Sequence, residues 1–271
     1  MHNVRVKDYG NGKKQITLYY DVIQGYDYSQ KKLKDEFNDI INYDFGCDDV
    51  LTSEEKENAR LHSELNNFKR AKNKIYDYAR SNMWTHFLTF TFNSEKVDRS
   101  NYEECKKKLT VWLNNISQRY CNGELKYLIV PELHKDGINY HFHGLLANCD
   151  GIIFEPSGLV DRAGRTIYNL PQYRLGFSTA TEITSVEKAC GYLAKYVTKQ
   201  LDLKLKGKRR YLASTNLNVP MEEKYYINQN LEEFEETIPN VVWRQLKEYT
   251  VCGENKKMVI IEIDENIDTS I

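Results

Sequence analysis

Apolar and polar residues along this chain recur with two distinct periods, and the changes of period mark its elements. From Val4 to Val22, "VRVKDY" and "QITLYYDV" alternate every second residue around a "GNGK" turn, which predicts a β-hairpin. From Thr52 the period lengthens: Leu61, Leu65, Phe68, Ile75 and Tyr78 fall on one helical stripe, with Thr52 and Glu55 as a capping box and Asn82 at the end. Alternation returns in "HFLTFTFN" (His86 to Asn93), an aromatic and Thr-rich strand. Ser100 and Glu103 form a second capping box before Tyr102, Cys105, Leu109, Trp112, Ile116 and Tyr120, spaced for one helix face. "LKYLIVPEL" and "NYHFHGLLA" read as strands, Gly151 to Leu175 as a Gly/Pro-punctuated excursion with a small hairpin, and "GFSTATEIT" as another strand. Ser185 to Gln200 reads as a helix; "RRYLAST" and "KMVIIEI" read as strands. This order predicts an α+β fold, a central antiparallel sheet with helices packed on it.

Composition narrows the class. At 271 residues with 41% hydrophobic and 28% charged content, the chain has the make-up of an ordinary globular protein. No apolar run approaches the roughly 20 residues that span a bilayer, and the first residues do not resemble a secretory signal. The six cysteines are scattered without a CxxC pair, which suits reduced thiols in a cytoplasm better than a disulfide framework. The formal net charge of −1 conceals an asymmetry. Lys188, Lys195, Lys199, Lys204, Lys206, Lys208, Arg209 and Arg210 crowd one short segment, whereas the residues from Met221 onward are predominantly acidic. A basic segment of this kind offers a local site for a polyanion.

The first candidate for chemistry is "PELHKDGINYHFHG", Pro131 to Gly144. With Asp136-Gly137 as a two-residue type I′ turn, Glu132 faces His141 and Val130 faces His143. Side chains then alternate so that Glu132, His134, His141 and His143 share one face, while Tyr140 and Phe142 turn to the core. Directly opposed Cβ atoms lie about 4.5–5.5 Å apart. Glu132, His141 and His143 therefore form a compact His-His-carboxylate cluster suited to a divalent cation with open positions. One carboxylate and a phosphate-rich substrate suit Mg²⁺, while two imidazoles favour Mn²⁺, and the choice stays open. His134, one pair nearer the turn, reads either as a contact behind or beside that cluster or as plain surface.

The second candidate is "GYLAKYVTK", Gly191 to Lys199. At about 100° per residue, Val186, Cys190, Leu193, Ala194, Val197 and Leu201 share the core-facing arc. Tyr192, Tyr196, Lys188, Lys195 and Lys199 share the opposite one. A phenol ionises near pH 10, so phenolate is scarce at neutral pH by about 4 kcal/mol, and nearby ammonium groups favour the anion. Exposed phenols among lysines, combined with a divalent cation, point to phosphodiester transesterification through a covalent tyrosine intermediate.

With these motifs the chain resembles the HUH endonuclease superfamily, and within it the two-tyrosine rolling-circle replication initiators of small single-stranded-DNA bacteriophages and related plasmids. "FLTFTF" (Phe87 to Phe92) is similar to the family's Thr-containing strand motif, "HFHGLL" (His141 to Leu146) to its histidine motif, and Glu132 to its upstream carboxylate. Tyr192, Lys195, Tyr196 and Lys199 are similar to its tandem tyrosine motif. The tyrosines follow the histidines, as in replication initiators.

The resemblance implies a Rep-type core of ferredoxin-like or RRM-like kind over residues 83–216. The N-terminal hairpin and long helix (1–82) would then be an accessory DNA-binding segment, and 217–271 an acidic extension. It implies nicking and joining of single-stranded DNA at a replication origin in the cytoplasm of a bacterial host, through a 5′-phosphotyrosine. Host helicase and polymerase are the implied partners, since the chain carries no P-loop sequence of its own. Lys188, Arg209 and Arg210 are candidate DNA contacts. Alternatives are a single-tyrosine HUH transposase, a non-catalytic DNA-binding replication regulator, and a hydrolase using the His₂Glu cluster on a small substrate.

Overall fold

The computed structural model describes residues 1–23, 53–199, 209–251 and 254–267. The chain begins with β1 (His2–Asp8), β2 (Lys13–Ile23), α1 (Ser53–Arg80), β3 (His86–Phe92) and α2 (Tyr102–Tyr120). It continues through β4 (Lys126–Leu133), β5 (Tyr140–Ala147), β6 (Glu155–Val160), β7 (Thr166–Asn169) and β8 (Gly176–Glu182). The remainder comprises α3 (Val186–Lys199), β9 (Leu212–Ala213), β10 (Met221–Tyr225), α4 (Leu231–Glu236), β11 (Val241–Val251) and β12 (Glu254–Asp264). The fold is α+β, as the periodicity predicts: two antiparallel sheets with helices packed on them. No described helix is long and apolar enough to cross a membrane.

Two compact units divide the chain, one of residues 1–61 and 220–271, the other of residues 62–219. In the first, strands follow the order β10-β1-β2-β12-β11. The N-terminal hairpin and the acidic C-terminal strands, separate segments along the sequence, thus share one sheet. Val4, Ile16, Leu18, Val259, Ile261 and Ile263 form its core with Leu231 of α4.

The second unit is built on a seven-stranded sheet in the order β6-β7-β8-β3-β5-β4-β9. Strand alternation gives it two apolar faces. Leu88, Phe90, Phe92, Ile129, Phe142 and Leu146 pack on one side against Tyr102, Cys105, Leu109, Trp112 and Ile116 of α2. Leu128, Val130 and Leu145 pack on the other against Phe68, Ile75 and Ala79 of α1 and Ala189, Cys190 and Leu193 of α3. The excursion after Gly151 does contain a hairpin, β6–β7, which extends the sheet beside β8.

Three local expectations need correction. Leu61 and Leu65 stand 39% and 49% exposed, because the core cluster engages α1 only from Phe68 onward. Tyr120, expected on the buried stripe of α2, is likewise 48% exposed. The cap of α2 is Asn101, whose side chain accepts from the Glu104 N–H, while Ser100 donates its hydroxyl to Asp98. The Thr52 cap of α1 lies outside the described residues.

Gly144 sits where β3, β5 and β4 approach most closely. A Cβ there would fall 2.5 Å from Ile129 Cγ1 and 2.8 Å from the Leu128 carbonyl oxygen. Gly144→Ala should therefore destabilise the protein by about 1–3 kcal/mol through overpacking, read as a lowered urea midpoint.

Candidate functional site

The β4–β5 hairpin has the register its sequence predicts, with Glu132 opposite His141 and Val130 opposite His143. Its turn is different. Gly137 has φ +67°, but Asp136 is not left-handed, which excludes type I′. The loop instead holds four residues between the His134–Asn139 pair, with the Gly137 N–H donating to the His134 carbonyl. Asp136 accepts from the Ile138 and Asn139 N–H groups and from the Asn139 side chain, and these bonds hold its carboxyl well below the usual carboxylate range. Two- and four-residue loops centred on the same point differ by one pair, so the strand register is unchanged.

Pairing of β3 with β5 places Thr89 opposite His143 and Thr91 opposite His141. Pairing of β3 with β8 adds Phe177 beside Thr91 and Thr179 beside Thr89. One face of the sheet thus presents two cross-strand rows: Phe177, Thr91, His141 and Glu132, then Thr179, Thr89, His143 and Val130. His143 is buried at 6% exposure. Its Nε2 lies 2.7 Å from Glu132 Oε2, and its Nδ1 lies 3.0 Å from Thr89 Oγ1. His141 is half-buried, and loss of hydration lowers its pKa, with further lowering from His134 and His143. That keeps the ring neutral near pH 7, the state in which imidazole ligates. His134 is stacked on His141 with ring centres 4.7 Å apart, and its Nδ1 lies 3.4 Å from Asp136.

Glu132, His141 and His143 are the described residues whose chemistry suits a divalent cation on this face. Among the described residues no three His, Cys, Asp or Glu side chains converge as a ready ligand group. Glu132 and His143 bond each other, while the His141 ring lies against His134. Two imidazoles and a carboxylate on paired strands are an apt donor set, and joining them requires side-chain rotation with no change of register.

On α3, Ala189, Cys190 and Leu193 are buried, and Tyr192 is 49% exposed. The Tyr192 ring meets Phe87 edge-on with centres 5.2 Å apart, and Phe87 lies over His143 with centres 6.3 Å apart. Phe87 therefore joins the tyrosine helix to the histidine strand. Tyr196, Lys195 and Lys199 lie in the C-terminal half of α3; their side chains fall outside the described residues.

Lys188 is exposed and lines a cleft of ≈ 1040 Å³ together with Tyr192, Phe87 and Thr89. Arg209 and Arg210 are elsewhere: they precede β9, the strand at the opposite edge of the sheet. The Arg210 guanidinium packs over Phe68 at 5.3 Å, and the Arg209 carbonyl accepts from the Tyr102 hydroxyl. Sequence reasoning missed Thr89 and Phe177 as members of the site. The "FLTFTF" alternation signals Thr89 and Thr91 together on one face; Phe177, 59% exposed on the strand beside them, becomes visible only through the β3–β8 pairing.

These observations can be set beside known proteins. Residues 85–201 match the family model of the replication-associated protein ORF2/gene-2 protein. The matched segment spans β3 to the end of α3, which carries Thr89, Glu132, both histidines and both tyrosines. It amounts to less than half of the chain. No curated protein and no solved structure gives a significant match.

Thr89 carries a structural consequence that can be measured. Thr89→Val leaves a nitrogen of the buried His143 ring without its partner and should cost about 1–3 kcal/mol in urea unfolding. Thr89→Ser keeps the hydroxyl and should recover most of the loss.

Proposed function

We propose that this protein is a rolling-circle replication initiator of phage or plasmid type that nicks and rejoins single-stranded DNA. The observation that carries the reading is the linkage of Tyr192 to His143 through Phe87, which sets an exposed phenol and a His-His-carboxylate cluster on one sheet face. The match to the replication-associated protein family over the same residues supports it.

In this reading a tyrosine oxygen forms a bond to the scissile phosphorus, and the P–O3′ bond breaks. The phenolic proton ends on the leaving 3′ oxygen. The products are a 5′-phosphotyrosine and a 3′-hydroxyl able to prime synthesis, and the reverse transfer rejoins a strand. Glu132, His141 and His143 would hold Mg²⁺ or Mn²⁺, which supplies Lewis-acid polarisation of a phosphate oxygen when bound. Tyr196 is the first choice of nucleophile from its central place in the tandem motif, with Tyr192 one turn away for a second transfer. Lys195 and Lys199 would favour the phenolate and counter phosphate charge. Phe177 offers a stacking face for a base near the scissile bond. Host helicase and polymerase would supply unwinding and synthesis.

Gel-resolved transfer of end-labelled single-stranded DNA to the protein tests this. The wild type with Mg²⁺ or Mn²⁺ should give a covalent adduct, lost when Tyr192→Phe and Tyr196→Phe are combined. An adduct that survives both changes refutes the tyrosine assignment. His141→Ala should abolish cleavage while DNA binding remains, and chelation of divalent ions should do the same; cleavage unchanged by either removes the cation from the scheme.

A further inference from the structure

The cleft beside Tyr192 has a composition the nicking chemistry alone does not call for. Its floor is hydroxylic, with Thr89, Thr179 and Thr181 from the sheet and Thr184 and Ser185 at the approach to α3. Lys188 of α3 contributes to one wall, and the β6–β7 loop, Val160 to Arg165, to another. That loop is well defined. The Asp161 N–H donates to the Arg165 carbonyl, the Gly164 N–H to the Asp161 carbonyl, and Gly164 takes the left-handed conformation with φ +78°. This is the pattern of a three-residue hairpin loop closed by a glycine bulge.

The charges of the cleft are unevenly satisfied. The Asp161 carboxylate is held by the Arg165 guanidinium at 2.6 Å and by the Ala163 and Arg165 N–H groups. It is thereby neutralised within the loop. Arg162 at the tip and Lys188 on the helix are both exposed and make no ion pair among the described residues. Two such cations about a floor of hydroxyl donors match a phosphodiester chain, and a volume at the top of the usual small-ligand range of about 300–1,000 Å³ admits a segment of polymer.

We infer that this cleft seats the stretch of single-stranded DNA flanking the scissile phosphate, with Arg162 and Lys188 contacting its phosphates. The inference rests on the nicking-and-joining reading and assigns the β6–β7 hairpin as the element that guides the strand. Val160, 64% exposed beside Arg162, supplies an apolar contact for a base or sugar.

Fluorescence anisotropy with a labelled oligo-dT, titrated over a range of salt, tests it without requiring cleavage. Arg162→Ala with Lys188→Ala should weaken binding, and each lost contact should reduce the slope of log K against log salt by about 0.7. Arg162→Lys should keep the charge and the slope. Thermal unfolding of the variants should match wild type, because both side chains are exposed. A double variant with wild-type affinity and slope overturns the inference while leaving the nicking reading intact. A wild type that does not bind oligo-dT overturns both, and a loss no greater for oligo-dT than for a duplex of equal length overturns the single-strand assignment.

Discussion

Antiparallel pairing of β3 with β5, and of β5 with β4, fixes the position of every group on which the proposed chemistry depends. It sets Thr89 against His143 and Glu132 against His141, so three strands distant in sequence deliver hydroxyl, imidazole and carboxylate to one face. A slip of one residue would send His141 and His143 into the α2 core and bring Phe142 to the surface. The slip is opposed from the other side of the sheet, where Phe142, Leu88, Phe90 and Leu146 are fully or almost fully buried. Apolar burial thereby enforces the placement of polar atoms that contribute little to stability themselves. The close approach at Gly144 serves the same registration, since only a residue without Cβ fits between β5 and Ile129.

Much of this was legible in the amino-acid pattern, and the reasons are local. Alternation in "FLTFTF" and "NYHFHGLLA" identifies both faces of two central strands, and the three-to-four spacing around Cys190 and Leu193 orients α3. The hairpin register is legible even though the turn type is not, because loops of two and four residues share a centre. The less legible features are those that depend on contacts remote in sequence. Nothing near Phe177 announces that β8 lies beside β3, and nothing near Leu61 or Leu65 reveals that the core engages α1 only beyond them. The partnership of β2 with β12 joins residues more than two hundred positions apart, which local periodicity cannot report.

Net charge is also reinterpreted by topology. The acidic C-terminal residues do not act as one uniform tail: Glu265 pairs with Lys14, Asp264 with Lys13 and Glu235 with Arg244 inside the first unit. The near-neutral total of the chain is therefore a sum over separate places. Around the cleft the balance differs, because the loop carboxylate is internally matched and Arg162 and Lys188 remain for an anion. Local charge of this kind governs capture of a polyanion more than the sum does.

The outermost strands of the seven-stranded sheet restrict how anything can add to it. At one border β9 is only two residues long, and at the other β6 carries Pro156 with an irregular register before Val160. Neither offers a continuous ladder of free N–H and C=O groups, so recruitment by strand addition is blocked at both borders. Association with this unit is channelled to its broad surfaces and helices, and polymerisation into sheets, a hazard for so large an array of strands, is held off by the same two devices.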